Sequence, residues 1–212
     1  MTITIAFEGC DRCGKTTQLE LLNDYFIGKG YKVKCMKFPD RETDTGKIIN
    51  DVLTNKTQMD KKELHKLFSQ NRYEKVNEIK AIQENLTEIK YDYLLIDRYI
   101  LSGLVYAVSD GIATFDAVRN ERMWHLAPNI TVYFKSDPQK LLNRGEYGEE
   151  AFEKIDFQQR VSQNYDLLLK DEYTYTVYCN NRNNKLLEYV TINSDFDIDT
   201  IHKQLSEYLS NC

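Results

Sequence analysis

ITIAFEGCDRCGKT, residues 3–16, is a β-branched apolar run that ends in a loop bracketed by glycines. The run over residues 2–8 predicts a strand buried on both faces. Gly9-Cys10-Asp11-Arg12-Cys13-Gly14-Lys15-Thr16 then matches G-x-x-x-x-G-K-[ST] between that strand and a helix, the setting this phosphate-binding loop requires. Gly9 and Gly14 permit backbone dihedrals that turn successive N–H groups inward as an anion nest. The helix starting at Lys15 adds its positive dipole end. Lys15 is predicted to reach the β- and γ-phosphates of a nucleoside triphosphate, and the Thr16 hydroxyl to ligate Mg²⁺. Thr17 completes the donor-contacting stretch.

Outward from this loop, Leu19, Leu22 and Phe26 recur at helical spacing, which predicts a helix from Lys15 to about Ile27 that Gly28 and Gly30 end. Residues 32–38 read as a second strand, closed by Pro39, and residues 60–89 as a long helical region broken near Ser69. Residues 91–97, 129–135 and 189–193 supply the third, fourth and fifth strands, with a last helix over 197–209. Strands alternating with helices predict a single P-loop α/β domain over residues 1–212. It would have five parallel strands, helices on both faces and a short lid. A surface hairpin is expected within 171–188. The acid ending the third strand, Asp97, is placed to orient Mg²⁺ beside the P-loop.

With 212 residues, 42% hydrophobic and 29% charged, the chain can bury one α/β core. A net charge of −5 disfavours a nucleic-acid surface, which needs a basic face. No apolar run is long enough to span a bilayer, and the N-terminus lacks the basic region of a signal peptide. Five cysteines with no framework spacing suit a reducing, cytoplasmic setting. A guanine-reading N-K-x-D is lacking, since Asn55-Lys56-Thr57-Gln58 has no aspartate, so a GTPase switch is disfavoured.

The blocks that follow one another along the chain resemble those of the thymidylate kinase family. Phe7-Glu8-Gly9 through Thr17-Gln18 is similar to that family's F-E-G-x-D-x-x-G-K-[ST]-T-Q, and Phe38-Pro39-Asp40-Arg41 with Thr45-Gly46 to its F-P-x-R and glycine. Leu67-Phe68-Ser69-Gln70-Asn71-Arg72-Tyr73-Glu74 resembles L-F-x-x-N-R-x-E, and Asp97-Arg98-Tyr99 with Ser102-Gly103 resembles D-R-Y-x-x-S-G. Arg144-Gly145 through Phe157-Gln158 resembles the family's mobile lid, about 144–153, and the helix after it. The resemblance covers roughly residues 3–165. It implies ATP as donor, thymidine monophosphate as acceptor, Mg²⁺ and a homodimer, for which the stretches 100–108 and 76–86 could form the interface.

The resemblance also implies residue roles. Arg41 and Arg98 would hold the acceptor phosphate, where a guanidinium fork fits better than a lysine point charge. Phe68 would stack on thymine, Arg72 donate to its O4, and Tyr99 stand against the sugar 2′ position. Phe38, Ser102, Gly103 and Tyr106 would line the pocket; Asp11 would sit by the 3′-hydroxyl, with Phe152 and Gln158 on the lid side. Phe152 stands where the family often has tyrosine. Arg12 resembles the branch that places its charge-stabilising arginine in the P-loop, leaving Arg144 a lid or adenine contact. Lys15, Arg12, Asp11 and Arg98 form the expected catalytic set.

Plainer readings compete. Phe68 could be helix core with Leu64 and Leu67, Arg72 could pair with Glu74 or Asp92 on a solvated face, and Tyr106 could be packing alone. Cys10 and Cys13 occupy free positions of the P-loop, where small filler competes with a redox pair. A deoxynucleoside kinase, or a dual thymidine and thymidylate kinase, would share the P-loop. It would need a general base for a 5′-hydroxyl, and Glu8 is the candidate. A non-catalytic P-loop scaffold would not need the intact set of Lys15, Thr16, Asp11, Arg12 and Asp97.

Overall fold

The β-branched run from Ile3 to Gly9 becomes the central strand β1, and six of its seven residues are buried. The computed structural model describes residues 2–114, 126–142, 150–170 and 188–210. Among them α1 spans Lys15–Gly28, β2 Val33–Lys37, α2 Asp44–Leu53, α3 Lys61–Glu74 and α4 Val76–Gln83. Next come β3 Tyr93–Asp97, α5 Ile100–Ser109, β4 Ile130–Lys135 and the short α6 Pro138–Leu141. Then α7 covers Ile155–Lys170, β5 Glu188–Asn193 and α8 Ile198–Leu209.

All strand pairs are parallel, in the order β2-β3-β1-β4-β5. The chain moves from β1 to one side through β2 and β3, then crosses to the other side at β4. Such a reversal opens a crevice at the carboxyl ends of the strands, where α/β sheets bind ligands. Phe7 lies in register with Asp97, and Lys37 with Asp97 from the opposite side, so three strand ends converge there. Gly9 ends β1 because a Cβ there would stand 2.6 Å from the Phe134 carbonyl oxygen, and because its φ is 145°. Helices surround the sheet: α1 packs with α8, and α5 with α7.

Two expectations about the helices need correction. The helical region does not break at Ser69 but at Lys75, whose N–H bonds back to the Arg72 carbonyl at 3.1 Å before α4 restarts. It also stops at Gln83 instead of running to Ile89, with Asn85 in the left-handed region at φ 56°, a conformation asparagine tolerates. The sequence reading passed over α2, although Thr43 caps it, accepting from the Gly46 N–H at 3.1 Å. Its apolar Ile49, Val52 and Leu53 recur at helical spacing and pack on Leu64. The hairpin expected within 171–188 lies outside the described residues.

Candidate active site

Local backbone geometry builds the phosphate cradle. Gly9, Arg12 and Gly14 have φ of 145°, 59° and 92°, and α1 begins directly after Gly14. Lys15 is buried; its ammonium donates to the Cys10 carbonyl at 2.5 Å and lies 3.4 Å from the Cys13 sulfur. At the end of β3, the Asp97 carboxylate accepts from the Thr16 hydroxyl at 2.5 Å. Burial alone would raise the Asp97 pKa, but the charges of Lys15, Arg98 and Lys37 and the Thr16 hydrogen bond hold it below the usual carboxylate value. Asp97 is therefore ionised at neutral pH.

Arg98 follows at φ 61°, a strained region for a side-chain-bearing residue. Its guanidinium donates to the Gly9 carbonyl at 2.8 Å and to the Ser102 hydroxyl at 3.3 Å, ion-pairs with Asp11 and lies over the Tyr106 ring at 5.3 Å. Asp11 is held from three further sides. The Tyr106 hydroxyl donates to it at 3.1 Å and the Gln158 amide at 2.6 Å, while its own N–H donates to Gln158 at 3.0 Å. Gln158 is fully buried behind Asp11, so its contact is with the P-loop and not with the cavity wall. Tyr106 does more than pack, since it ties Asp11 to the guanidinium stack.

Beside this centre, a cavity of about 290 Å³ joins the P-loop to an aromatic end. Asp11, Arg12, Lys15, Thr16, Asp97 and Arg98 line its phosphate end. Phe38, Phe68, Arg72, Tyr99, Ser102, Gly103, Tyr106 and Phe152 line the remainder, with Arg41 at the rim. Phe68 and Phe152 lie 6.3 Å apart between ring centroids, and Phe152 stacks on Phe157 at 5.0 Å. Phe68 thus does both: it packs with Leu67 on the Leu64 cluster, as the plain helix-core reading expects, and it also lines the cavity. Arg72 is 4% exposed, which excludes a solvated face. Gly103 makes room for it: a Cβ there would come within 2.4–2.6 Å of the Arg72 guanidinium.

Some placements were not legible in the sequence. Arg41 is carried on a loop that Asn71 latches to α3, accepting from the Asp40 N–H at 2.8 Å and donating to the Asp40 carbonyl at 3.1 Å and the Thr43 hydroxyl at 2.8 Å. Gly46 packs against that loop so closely that a Cβ would overlap the Asp40 carbonyl oxygen. Carboxylates just before α7 engage two arginines: Glu153 pairs with Arg12 at 2.5 and 3.2 Å, and Glu150 with Arg41 at 2.6 Å. His65, one helical turn before Phe68 on α3, also lines the cavity and is 3.3 Å from Asp110. Burial holds its pKa below the usual histidine value even though Asp110 opposes the shift. Its spacing from Phe68 was the available signal.

Several expected groups are engaged by the protein itself or lie away from the cavity. The hydroxyl of Ser102 is engaged by Glu8 and, at 2.9 Å, by Tyr165, and the Tyr99 hydroxyl donates to the Leu126 carbonyl at 3.2 Å. Glu8 is 1% exposed, accepts from the Tyr99 N–H at 3.0 Å and does not line the cavity. Burial raises its pKa against hydrogen bonds from Ser102 and Tyr165 and the charge of Arg98. A base for a 5′-hydroxyl would have to face that cavity. Cys10 is buried, and desolvation pushes its thiol up to about 12, which leaves little thiolate for redox chemistry. Thr17 is exposed on α1 beside Thr16. Arg144 and most of the expected lid lie outside the described residues.

Comparisons of the whole chain with known proteins agree on one family. The family profile described as Thymidylate kinase matches residues 7–190. The thymidylate kinase of Schizosaccharomyces pombe is 32% identical over 208 residues, covering 98% of this chain and 91% of that protein. That of Dictyostelium discoideum is 34% identical, covering 95% of this chain and 82% of the relative. Among solved structures, that of thymidylate kinase from Candida albicans matches with a TM-score of 0.75 at 26% identity, covering 99% of this chain and 92% of the other.

Proposed function

The chain belongs to the thymidylate kinase family, and from that premise we propose how its own residues transfer the γ-phosphoryl group of ATP to thymidine monophosphate (dTMP). The observation that carries this reading is the joining, in one cavity, of a P-loop lysine, several arginines and an aromatic end able to take a base. An acceptor that already bears a phosphate needs converging cations, and the presence of Arg41 and Arg98 in the cavity lining supports that role for them. The nucleoside-kinase alternative is not favoured, because Glu8 is turned into the Ser102–Tyr165 network.

In this proposal the donor triphosphate lies along Gly9–Thr17, and the acceptor base lies between Phe68 and the Tyr99–Ser102 side, with Arg72 at its carbonyl edge. An acceptor phosphate oxygen attacks the γ-phosphorus in line as the bond to the β,γ-bridging oxygen breaks, leaving ADP and dTDP. Lys15 and Arg12 offset charge on the transferred group, while Asp11, fixed by Gln158 and Tyr106, orients Arg98. Thr16 and ionised Asp97 are hard oxygen donors, which fits Mg²⁺ held by one carboxylate, a hydroxyl and phosphates. When bound there, Mg²⁺ would neutralise the phosphate oxygens.

Residues 1–212 are proposed to act as one domain with a lid at about 144–153, in which Arg144 reaches the donor. A homodimer belongs to the same proposal. Leu86 is exposed within 76–86, but Ile79 and Ile82 of that stretch, and Ile100, Leu101, Leu104 and Val105 of 100–108, serve the protomer's own core, so neither stretch as a whole is free for an interface. Among the described residues no helix is long and apolar enough to cross a membrane. Cys10, Cys13 and Cys35 are thiols, in keeping with an intracellular setting.

The functional test is initial-rate ADP release with Mg-ATP and a panel of dTMP, dUMP and thymidine. Turnover of dTMP far above thymidine is expected, and the reverse order would overturn the reading. Phe68→Ala should raise the dTMP KM about tenfold, at the low end of base–aromatic stacking energies of roughly 1–3 kcal/mol. The ATP KM should stay within about twofold, and equal losses would make the residue structural. Arg12→Ala should lower kcat at least about tenfold, or about 1.4 kcal/mol of barrier. Unchanged single-turnover rates would remove Arg12 from that role.

A further inference from the structure

We propose that Lys37 is a further catalytic residue, whose ammonium contacts the phosphoryl group during transfer; this rests on the reading of the cavity given above. Lys37 is the last residue of β2, in register with Asp97, and the next residue's N–H bonds to the Asp97 carbonyl at 2.9 Å. The strand end therefore delivers its side chain to the convergence of β1, β2 and β3. Its ammonium lies 3.5 Å from the Asp97 carboxylate and 3.4 Å from the Thr16 hydroxyl, and the residue lines the same cavity as Lys15, Arg41 and Arg98.

Both distances exceed a tight ammonium–oxygen hydrogen bond. The side chain is 58% exposed and stands on a flexible four-carbon stem. It is held in place by charge and not by shape. Once Thr16 and Asp97 take a divalent ion, Lys37 loses both oxygens to it and faces a second cation. The other carboxylates lining the cavity, Asp11, Glu150 and Glu153, are already paired with Arg98, Arg41 and Arg12, so phosphates held between Lys15 and Arg41 would offer it the unpaired anionic oxygens. Phosphoryl transfer spreads negative charge over the three equatorial oxygens, so a cation that can shift by its stem gains contact as that charge develops. Arg41, whose guanidinium is paired with Glu150 at 2.6 Å, would first have to give up that closer contact.

The test compares Lys37→Met and Lys37→Arg with the wild type, by single-turnover kinetics and by calorimetric affinity for the mimic formed from ADP, Mg²⁺, fluoroaluminate and dTMP. Lys37→Met should lose about 30-fold in kcat and a similar factor in mimic affinity, with ATP and dTMP affinities within about threefold. Lys37→Arg should recover most of both. Because the side chain is largely exposed, circular dichroism and Tm should not change. A Lys37→Met enzyme with kcat and mimic affinity within threefold of wild type, while the wild type phosphorylates dTMP, would overturn the assignment alone. So would tighter Mn²⁺ binding without nucleotide at unimpaired kcat, since Lys37 would then only compete with the ion. Absence of wild-type dTMP turnover would overturn it together with the reading of the cavity.

Discussion

Replacing Arg98 by alanine is expected to lower kcat/KM for dTMP by about a thousandfold, or about 4 kcal/mol of transition-state stabilisation. Hydrogen bonds to charged groups contribute roughly 1.5–3 kcal/mol each, and a guanidinium fork can place two on one phosphate. The residue also holds Asp11 and the Gly9 carbonyl, so its loss loosens the P-loop from the acceptor side. Arg98→Lys separates these effects. It keeps the charge near Asp11 but not the fork, and should retain part of the activity while losing in-line positioning. ATP affinity measured by calorimetry should move much less than dTMP affinity. A proportional loss of both would show that Arg98 serves the fold and not the acceptor.

Gly103→Ala is the second large effect, because it adds one carbon where the structure has no room. A Cβ at Gly103 would come within 2.4–2.6 Å of the Arg72 guanidinium, closer than real contacts allow. Within α5, alanine is a better helix former than glycine, so local propensity does not oppose the change. The adjustment falls on Arg72, whose side chain must leave its buried place in the wall of the cavity. A drop of about a hundredfold in kcat/KM for dTMP is expected, mostly as KM, with ATP affinity preserved. Folding should persist. Wild-type kinetics in the variant would mean that the position of Arg72 does not matter to the acceptor.

How far the sequence could be read depended on how local each signal was. The strand of residues 3–9, the P-loop and the acid ending β3 are written in consecutive residues, so their positions follow from periodicity and motif spacing. The arginines at 41, 72 and 98 came with their flanking blocks, and the structure brings them to one cavity. Partnerships set only by the tertiary fold were not legible. Gln158 meets Asp11 across 147 positions, Glu153 meets Arg12 across 141 and Glu150 meets Arg41 across 109. Glu149, Glu150 and Glu153 lie close together in the sequence, with nothing local to say which cations they would meet. The break at Lys75 was also missed, because the helix-forming residues on both sides carry no glycine or proline to mark it.

The fold and the cavity together make a single claim, that two nucleotides meet phosphate to phosphate between the P-loop and the aromatic end. A bisubstrate compound joining adenosine to thymidine through a chain of phosphates tests it directly by titration calorimetry with competition. The account predicts one compound per chain, far tighter than either nucleotide alone, and displaced by ATP and by dTMP separately. Binding that only one of the two nucleotides displaces would contradict it.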